Sequence, residues 1–375
     1  MEFSIQTDEL TKGLYRAQGI VEKKTAMPIL SNVLCEAAAD GQVSITATDL
    51  EVGVHGQHPA EVVTSGAITI SARHLYDIVR SLPAERVTLK KLPNNWAQVQ
   101  ANAGGRQIEY KMLGMAPEDF QALPDVANAA LFAVDADVLK QMIDKTSYAV
   151  SNDETRYNLN GAYLEALEDG VFRMVATDGH RLSMLDAKLS PEPDAVKFAQ
   201  GVIIPKKGLL EIKRLVESEQ CDCQMGLDGN NLVFKMQDVT VIMRLLDGQF
   251  PEYRHVVPDK QKTNLSVERK PFIDSLRRIS ILSSDRASGV KLVLSGEQLR
   301  VTTSNPDLGE ATEDLGVENA SGEITIGFNS RYLIDALSAI DSERVDLSLE
   351  DDLSPGVLRP AEDEHYTCVV MPMRI

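Results

Sequence analysis

The sequence predicts an α+β protein made of three copies of one domain, each with two helices packed on antiparallel sheets. Two observations carry this. First, one motif recurs at nearly constant spacing along the 375 residues: Ala47-Thr48-Asp49-Leu50-Glu51, then Ala176-Thr177-Asp178-Gly179-His180-Arg181-Leu182, then Thr303-Ser304-Asn305. Each copy closes a strand-like run, and the copies start at residues 47, 176 and 303. Self-similarity at a fixed period is the mark of a repeated structural unit. Second, each third of the chain carries a shorter pattern twice: a strand, a helix, then three strands. Alternation of apolar and polar residues in those strands fits antiparallel sheets with one covered face.

In the first copy, residues 2–6 read as a strand and 8–20 as a helix. Thr7 or Asp8 can cap that helix, Asp8 and Glu9 suit its first turn, and Leu10, Leu14 and Ala17 form its apolar stripe. Strands follow over 30–37, 42–46 and 52–56. The second half repeats the order, with a strand over 67–70, a helix over 72–82 and strands over 87–91, 97–102 and 107–112. The second copy opens on a strand over 131–134 and a helix over 135–148. Its second half opens on a strand over 201–204 and a helix over 205–217, with Pro205 at the favoured first helical position. The third copy pairs a strand over 264–267 with a helix over 269–282, then a strand over 323–326 with a helix over 329–340. Residues 366–371 are the last strand. Links near 124–130 and 255–263 carry Pro, Asn, Asp and Lys, and divide the chain into domains at 1–124, 125–255 and 256–375.

A hydrophobic fraction of 43% and a charged fraction of 25% are those of an ordinary soluble globular protein. No apolar run approaches the ~18 residues of a membrane span. Residues 1–5 lack the basic and apolar stretches of a signal peptide, so a cytoplasmic protein is expected. The four cysteines are scattered. Cys221-Asp222-Cys223 lacks both the spacing and the partner pair of a zinc site, and reads as a strand with two small side chains; neither metal nor cofactor is expected.

A net charge of −18 argues, by itself, against nucleic acid. Its distribution reverses the argument: the six helix windows together carry +3, leaving −21 on the rest of the chain. Basic helices on an acidic body suit loose contact with a polyanion, in which phosphates are touched and bases are not read. Ordinary solvated helix faces would give the same charges, so charge alone leaves both readings open. With no zinc finger, helix-turn-helix or basic zipper pattern, any DNA binding is expected to ignore sequence.

Further motifs join the repeat: Met27-Pro28-Ile29-Leu30-Ser31-Asn32, Arg156-Tyr157-Asn158-Leu159-Asn160-Gly161, Asp247-Gly248-Gln249-Phe250-Pro251-Glu252-Tyr253, Gly327-Phe328-Asn329, and Val369-Val370-Met371-Pro372-Met373-Arg374-Ile375. With these the chain resembles, from end to end, the bacterial DNA polymerase III beta subunit family of sliding clamps. The resemblance implies the DNA-clamp fold, a head-to-tail homodimeric ring lined by helices, and a non-enzymatic processivity factor. It also implies the partners: duplex DNA, the replicative polymerase alpha subunit, a clamp-loader ATPase, and replication and repair proteins carrying a short clamp-binding peptide. Size agrees with two chains. Helices about 10 Å apart leave a hole of roughly 10 Å when six are used and roughly 28 Å when twelve are used, and a duplex about 20 Å wide needs the latter.

The same resemblance implies site residues. Lys24, Arg73, Tyr157, Lys206 and Lys207 would touch DNA. Arg73, His74, Ile108 and Tyr110 would meet Ile281 and Leu282 at the dimer contact. A peptide groove between the second and third domains would be lined by Leu159, Thr177, Gly179, His180, Arg181 and Leu182. Pro251, Val256, Asn329 and Tyr332 would continue it, with Val369, Val370, Met371, Pro372, Met373 and Arg374 along one side. Leu, Val, Met and Pro walls suit apolar anchors, and Arg181 and Arg374 could hold carbonyls or a carboxylate at the rim. Leu353 and Pro355 would lie at its edge, and His255 stands where an arginine is common.

Two rival readings differ in class. A peptide-binding scaffold that never meets DNA shares the groove but gives no reason for basic helices. An enzyme could use Asp49, Asp178 and His180. However, the two aspartates are equivalent positions in two repeats, and the third repeat has Asn305 there, which is no general base. A turn residue that hydrogen-bonds its own backbone accounts for all three.

Overall fold

A computed structural model of the chain describes residues 1–21, 26–190, 201–218, 221–257, 262–283, 288–361 and 363–374. Among these, all six strand-helix-strand-strand-strand units are present. The first holds β1 (Glu2–Gln6), α1 (Thr7–Ile20), β2 (Asn32–Ala37), β3 (Gln42–Thr48) and β4 (Val52–Thr64). The second holds β5 (Gly66–Ser71), α2 (Ala72–Ser81), β6 (Arg86–Lys91), β7 (Trp96–Ala103) and β8 (Arg106–Leu113). The third holds β9 (Ala130–Val134), α3 (Ala136–Thr146), β10 (Gly161–Ala166), β11 (Val171–Thr177) and β12 (Arg181–Lys188). The fourth holds β13 (Val202–Pro205), α4 (Lys206–Ser218), β14 (Cys223–Asp228), β15 (Asn231–Met236) and β16 (Val239–Arg244). The fifth holds β17 (Thr263–Glu268), α5 (Arg269–Ile279), β18 (Gly289–Ser295), β19 (Gln298–Asn305) and β20 (Gly309–Glu318). The sixth holds β21 (Ile324–Asn329), α6 (Ser330–Ala339), β22 (Arg344–Leu349), β23 (Gly356–Pro360) and β24 (Tyr366–Val370).

The fold is α+β, three repeated domains of antiparallel sheet with two helices each. The chain condenses into two compact units, residues 1–137 with 207–245 and residues 138–206 with 246–375. In the first, the sheet runs β8-β7-β6-β1-β4-β16-β15-β14-β9, with β3 joined to β4, and β2 joined to β3 and β5. In the second it runs β13-β10-β11-β12-β24-β23-β22-β17-β20-β19-β18-β21. Main-chain ladders thus cross between repeats at β4–β16 and at β12–β24.

The apolar stripes lie where the helical period puts them. Leu10, Leu14, Ala17 and Ile20 of α1 are buried, as are Leu209, Ile212 and Leu215 of α4, and Phe272, Leu276 and Ile279 of α5. Each leucine, isoleucine or phenylalanine among them contributes about 2 kcal/mol by leaving water. No described helix is long and apolar enough to cross a membrane.

Several boundaries differ from the sequence reading. β4 runs on to Thr64 because its second half pairs with β1, Ala60 opposite Ile5 and Thr64 opposite Glu2, a partner remote from it in sequence. Neither Thr7 nor Asp8 caps α1: Gln6 is the flanking residue and gives no side-chain bond. Thr7 is helical; its hydroxyl donates to the Ala84 carbonyl at 2.6 Å and its N–H to that of Glu85 at 2.8 Å. Pro205 ends β13 rather than starting α4. Asn329 caps α6 from outside, its side chain accepting from the Arg331 N–H at 2.9 Å. α3 and α5 end early in 3-10 turns over Ser147–Ala149 and Ser280–Leu282, and the last strand ends at Val370.

His58 of β4 gives the fold a pH dependence. It is 2% exposed, with Nδ1 3.5 Å from a Glu9 carboxylate oxygen and Nε2 without a hydrogen bond against Gly13. Burial holds its pKa below the ordinary value; Arg16 pushes the same way, while Glu9 and Asp238 oppose. Below about pH 6.5 the unfolded chain therefore binds a proton that the folded chain refuses. Stability is full above that pH and falls as pH drops through it, and His55, also lowered by burial, adds in the same sense. Urea midpoints should decline from pH 8 to pH 5, and His58→Gln should flatten the decline. An equal slope in the variant would exclude His58 as its source.

Candidate peptide groove and nucleic-acid interface

The recurring motif is a tight turn. Between β11 and β12, one Asp178 carboxylate oxygen accepts from the N–H groups of His180 at 2.9 Å and Arg181 at 3.0 Å. The Thr177 hydroxyl accepts from the Gly179 N–H at 3.1 Å and donates to the Arg181 carbonyl at 2.6 Å. Gly179 sits at φ +86°, where a side chain is disfavoured. Asp49 makes the same bonds to Glu51 at 2.9 Å and Val52 at 2.7 Å, and Asn305 accepts from Asp307 at 3.0 Å. The three positions hold turns, as their chemistry predicts, and His180 turns its ring away to stack on Tyr332, 14° from parallel.

Arg181 organises this end of the second unit. Its Nε donates to Asp178 at 3.1 Å, Nη1 to Asp335 at 2.5 Å and Nη2 to the Tyr148 carbonyl at 2.7 Å. The guanidinium lies 4.7 Å from the Tyr332 ring centre and 5.3 Å from that of Tyr148. At 12% exposure its side chain is an internal tie. This departs from the rim role expected for it, because each of its three nitrogens donates to a group of this chain. Burial, and then Asp178, push the Tyr332 hydroxyl pKa upward.

Beside this tie, β12 and β24 pair with Arg181 opposite Val370 and Leu182 opposite Val369. Val175, Leu182, Tyr253, Val357 and Val369 form one buried apolar cluster, with Tyr163, Met184, Phe250, Val256 and Val257 packed on it. Phe250 stacks on Tyr163 with ring centres 5.1 Å apart. The Tyr253 hydroxyl donates to Glu165, and burial followed by that carboxylate pushes its pKa up to about 12. Past β24 the tail crosses the sheet end. The Met371 N–H donates to the His180 carbonyl at 2.9 Å, and that of Met373 to Gly327 at 2.8 Å. Met371 and Arg374 are exposed, while Pro372 and Met373 are half-buried.

The structure therefore gathers Thr177, Gly179–Leu182, Val256, Tyr332 and Val369–Met373 about one strand pair, with Asn329 one helical turn from Tyr332. Leu159 is buried just before β10, and Pro251 is exposed between Phe250 and Tyr253. Leu353 is 65% exposed in a turn held by Asp351, and Pro355 is half-buried. His255 is exposed, and its neighbour Arg254 turns to Glu165 at 2.9 Å. Sequence reasoning missed Tyr163, Phe250 and Tyr253. The last two flank Pro251 in a motif already singled out, so their signal was present; Tyr163 offered none.

The expected DNA and dimer residues scatter over both units. Lys24 lies outside the described residues. Arg73 and His74 are exposed at the start of α2, with His74 Nδ1 2.9 Å from the Ser71 hydroxyl. Tyr157 is 55% exposed. Lys206 donates to Asn152 at 3.0 Å, and burial, then Arg181, lower its pKa. Ile108 and Tyr110 lie on β8, an edge strand, and Ile281 is 74% exposed, with Leu282 half-buried, in the turn after α5. Lys207 is engaged within its own chain. Its Nζ donates to the Ile20 carbonyl at 2.7 Å, the end of α1, and pairs with the Asp49 carboxylate, whose side chain is 4% exposed. Lys207→Ala should cost about 2 kcal/mol by stranding that carboxylate. Urea titration checks this, and Lys207→Ala with Asp49→Asn should recover most of the loss.

Family models of the DNA polymerase III beta subunit match the chain throughout: the N-terminal domain over residues 1–124, the central domain over 133–252 and the C-terminal domain over 254–374. The chain belongs to the DNA polymerase III beta subunit family. In that family it is a sliding clamp, not a catalytic subunit. It is 35% identical to the beta sliding clamp of Pseudomonas aeruginosa and 31% identical to that of Caulobacter vibrioides, in both cases over 100% of each chain. The solved Bacillus subtilis clamp superposes with a TM-score of 0.92 at 26% identity, covering 100% of this chain and 99% of that one. A Bartonella birtlesii clamp bound to griselimycin gives 0.92 at 34% identity, with both chains fully covered.

Proposed function

We propose that two copies of this chain close head to tail into a cytoplasmic ring that encircles duplex DNA without reading its sequence. The ring tethers the replicative polymerase and other proteins through a short peptide of each. The end-to-end match of three clamp domains carries this reading. On it, the domains are residues 1–124, 125–255 and 256–375. Lys24, Arg73, Tyr157 and Lys206 face DNA, while Lys207, named with them from the sequence, is drawn back to Asp49 and the Ile20 carbonyl. Edge strand β8, with Ile108 and Tyr110, joins Arg73 and His74 against Ile281 and Leu282 of the other copy, so that an exposed strand edge is covered. The apolar cluster at Leu182 and Val369, with the Met371–Arg374 tail beside it, receives the peptide's apolar anchors. Tethering raises the polymerase's effective concentration at the primer end. A separate clamp-loader ATPase opens the ring.

Retention on DNA tests this. The protein, loaded with a clamp loader and ATP onto nicked circular plasmid, should stay bound through a sizing column and be lost once the plasmid is linearised. Equal retention on both forms would mean surface binding. No retention on either, with a loader proven on another clamp, would favour the DNA-free scaffold.

A further inference from the structure

The strand register places a counterpart of the Leu182–Val369 site inside the first unit. In the second unit Thr177 faces Leu182 across β11–β12, and Leu182 faces Val369 across β12–β24. In the first, Thr48 faces Gly53 across β3–β4, and Gly53 faces Ile242 across β4–β16. The neighbouring rungs agree: Leu34–Thr46–His55 in the first unit stand where Tyr163–Val175–Met184 stand in the second. Even the turn matches, with Leu50 held at φ +79° in the place of Gly179. At the floor, leucine is replaced by glycine.

That change is filled by the chain itself. A Cβ built on Gly53 would lie 2.3 Å from Cδ2 and 3.3 Å from Cδ1 of Leu123, so the leucine rests directly on the glycine backbone. Leu123 belongs to the link after β8, which is held by buried Phe120 against Ile29 and Leu30. Leu123 also lines a cleft of about 300 Å³ together with Thr48, Gly53, Ile242 and Arg244. Pro124 follows Leu123 as Pro251 follows Phe250.

We infer that Leu123 is a built-in occupant of the first repeat's copy of the peptide groove, and that it confines partner peptides to the single site at Leu182 and Val369. The inference rests on the groove reading above. A tethered side chain competes at an effective concentration of order mM, which a free peptide in the cell does not reach.

The test uses the full chain. Gly53→Leu, which puts the other repeat's residue at this position, takes the space that the Leu123 side chain fills, and hydrogen exchange of amides 120–126 should quicken roughly tenfold while β12 and β24 are unchanged. Unchanged exchange there would overturn the inference. In the second arm, a synthetic peptide of residues 117–126 is titrated by calorimetry into the unaltered protein and into Leu123→Ser. The variant should take up one more peptide per chain; an equal number in a folded variant would also overturn it. Griselimycin titrated into the unaltered protein tests the groove reading separately. No binding there, with both other arms positive, would remove the Leu182–Val369 site as a peptide groove and leave Leu123 as the occupant of its copy.

Discussion

Arg181→Ala should destabilise the second unit by about 3 kcal/mol and weaken binding of a clamp-binding peptide at least tenfold. Truncation leaves the 15%-exposed Asp178 carboxylate and the Tyr148 carbonyl without their cation. Breaking a buried pair on one side costs about 3–5 kcal/mol, because the remaining charge stays desolvated. The lower end applies because Asp335, the third partner, is 45% exposed and regains water. Binding should suffer as well. The guanidinium fixes the Tyr332 ring from one side and, through Asp178, the turn that carries His180, so the wall beside Leu182 and Met371 loses its support. Urea unfolding and calorimetric titration give the two readouts. Arg181→Lys separates charge from shape: a lysine keeps the charge but cannot serve three acceptors, and should recover less than half of the stability. An unfolding midpoint unmoved in Arg181→Ala would refute the role of this residue as the tie of the site.

Gly161→Val should be comparably severe through a different cause. Gly161 faces Pro205 across the β10–β13 ladder, and an added Cβ would sit 2.2 Å from the Ile204 carbonyl oxygen and 2.8 Å from its carbon. Those are main-chain atoms, so no rotamer change relieves the clash. β13 must shift instead, and it leads directly into α4. Overpacking of this kind costs about 1–3 kcal/mol, occasionally more, and the upper end is expected where backbone must move. Gly161→Ala should lose most of the same stability, since the first carbon already collides. Denaturant titration of both variants decides; a midpoint unchanged in Gly161→Ala would show that β13 yields at no cost.

The repeat and its six units were legible because they rest on spacing and alternation, which every strand writes into its own residues. The turn roles of Asp49, Asp178 and Asn305 were legible for the same reason: the partners are two or three residues away. What escaped depends on distant parts of the chain. The start of α1 is satisfied by carbonyls of residues 84 and 85, which no local capping rule contains. The inward orientation of Arg181 depends on Asp335 and Tyr148, both remote in sequence, so from the motif alone an arginine beside a groove looks like a rim residue. Lys207 likewise reads as a free basic group until Asp49 is brought beside it. Most of the groove residues could be named from motifs, but the contact of Tyr163 with Phe250 and Tyr253 emerges only once β10 and the link after β16 are packed together.

The ladders at β4–β16 and β12–β24 bear on any attempt to cut the protein into pieces. A fragment ending near residue 124 would keep β4 but lose the strand that occupies its Val52–Gly56 hydrogen-bonding edge. One beginning near residue 256 would keep β24 and lose β12. Each would carry a raw, apolar strand into solution, the usual template for aggregation during expression. Fragments cut at the compact units fare no better, since residues 207–245 complete a sheet that starts some two hundred positions earlier. The chain is modular as a text and indivisible as an object, and recombinant work on it should begin from the whole length.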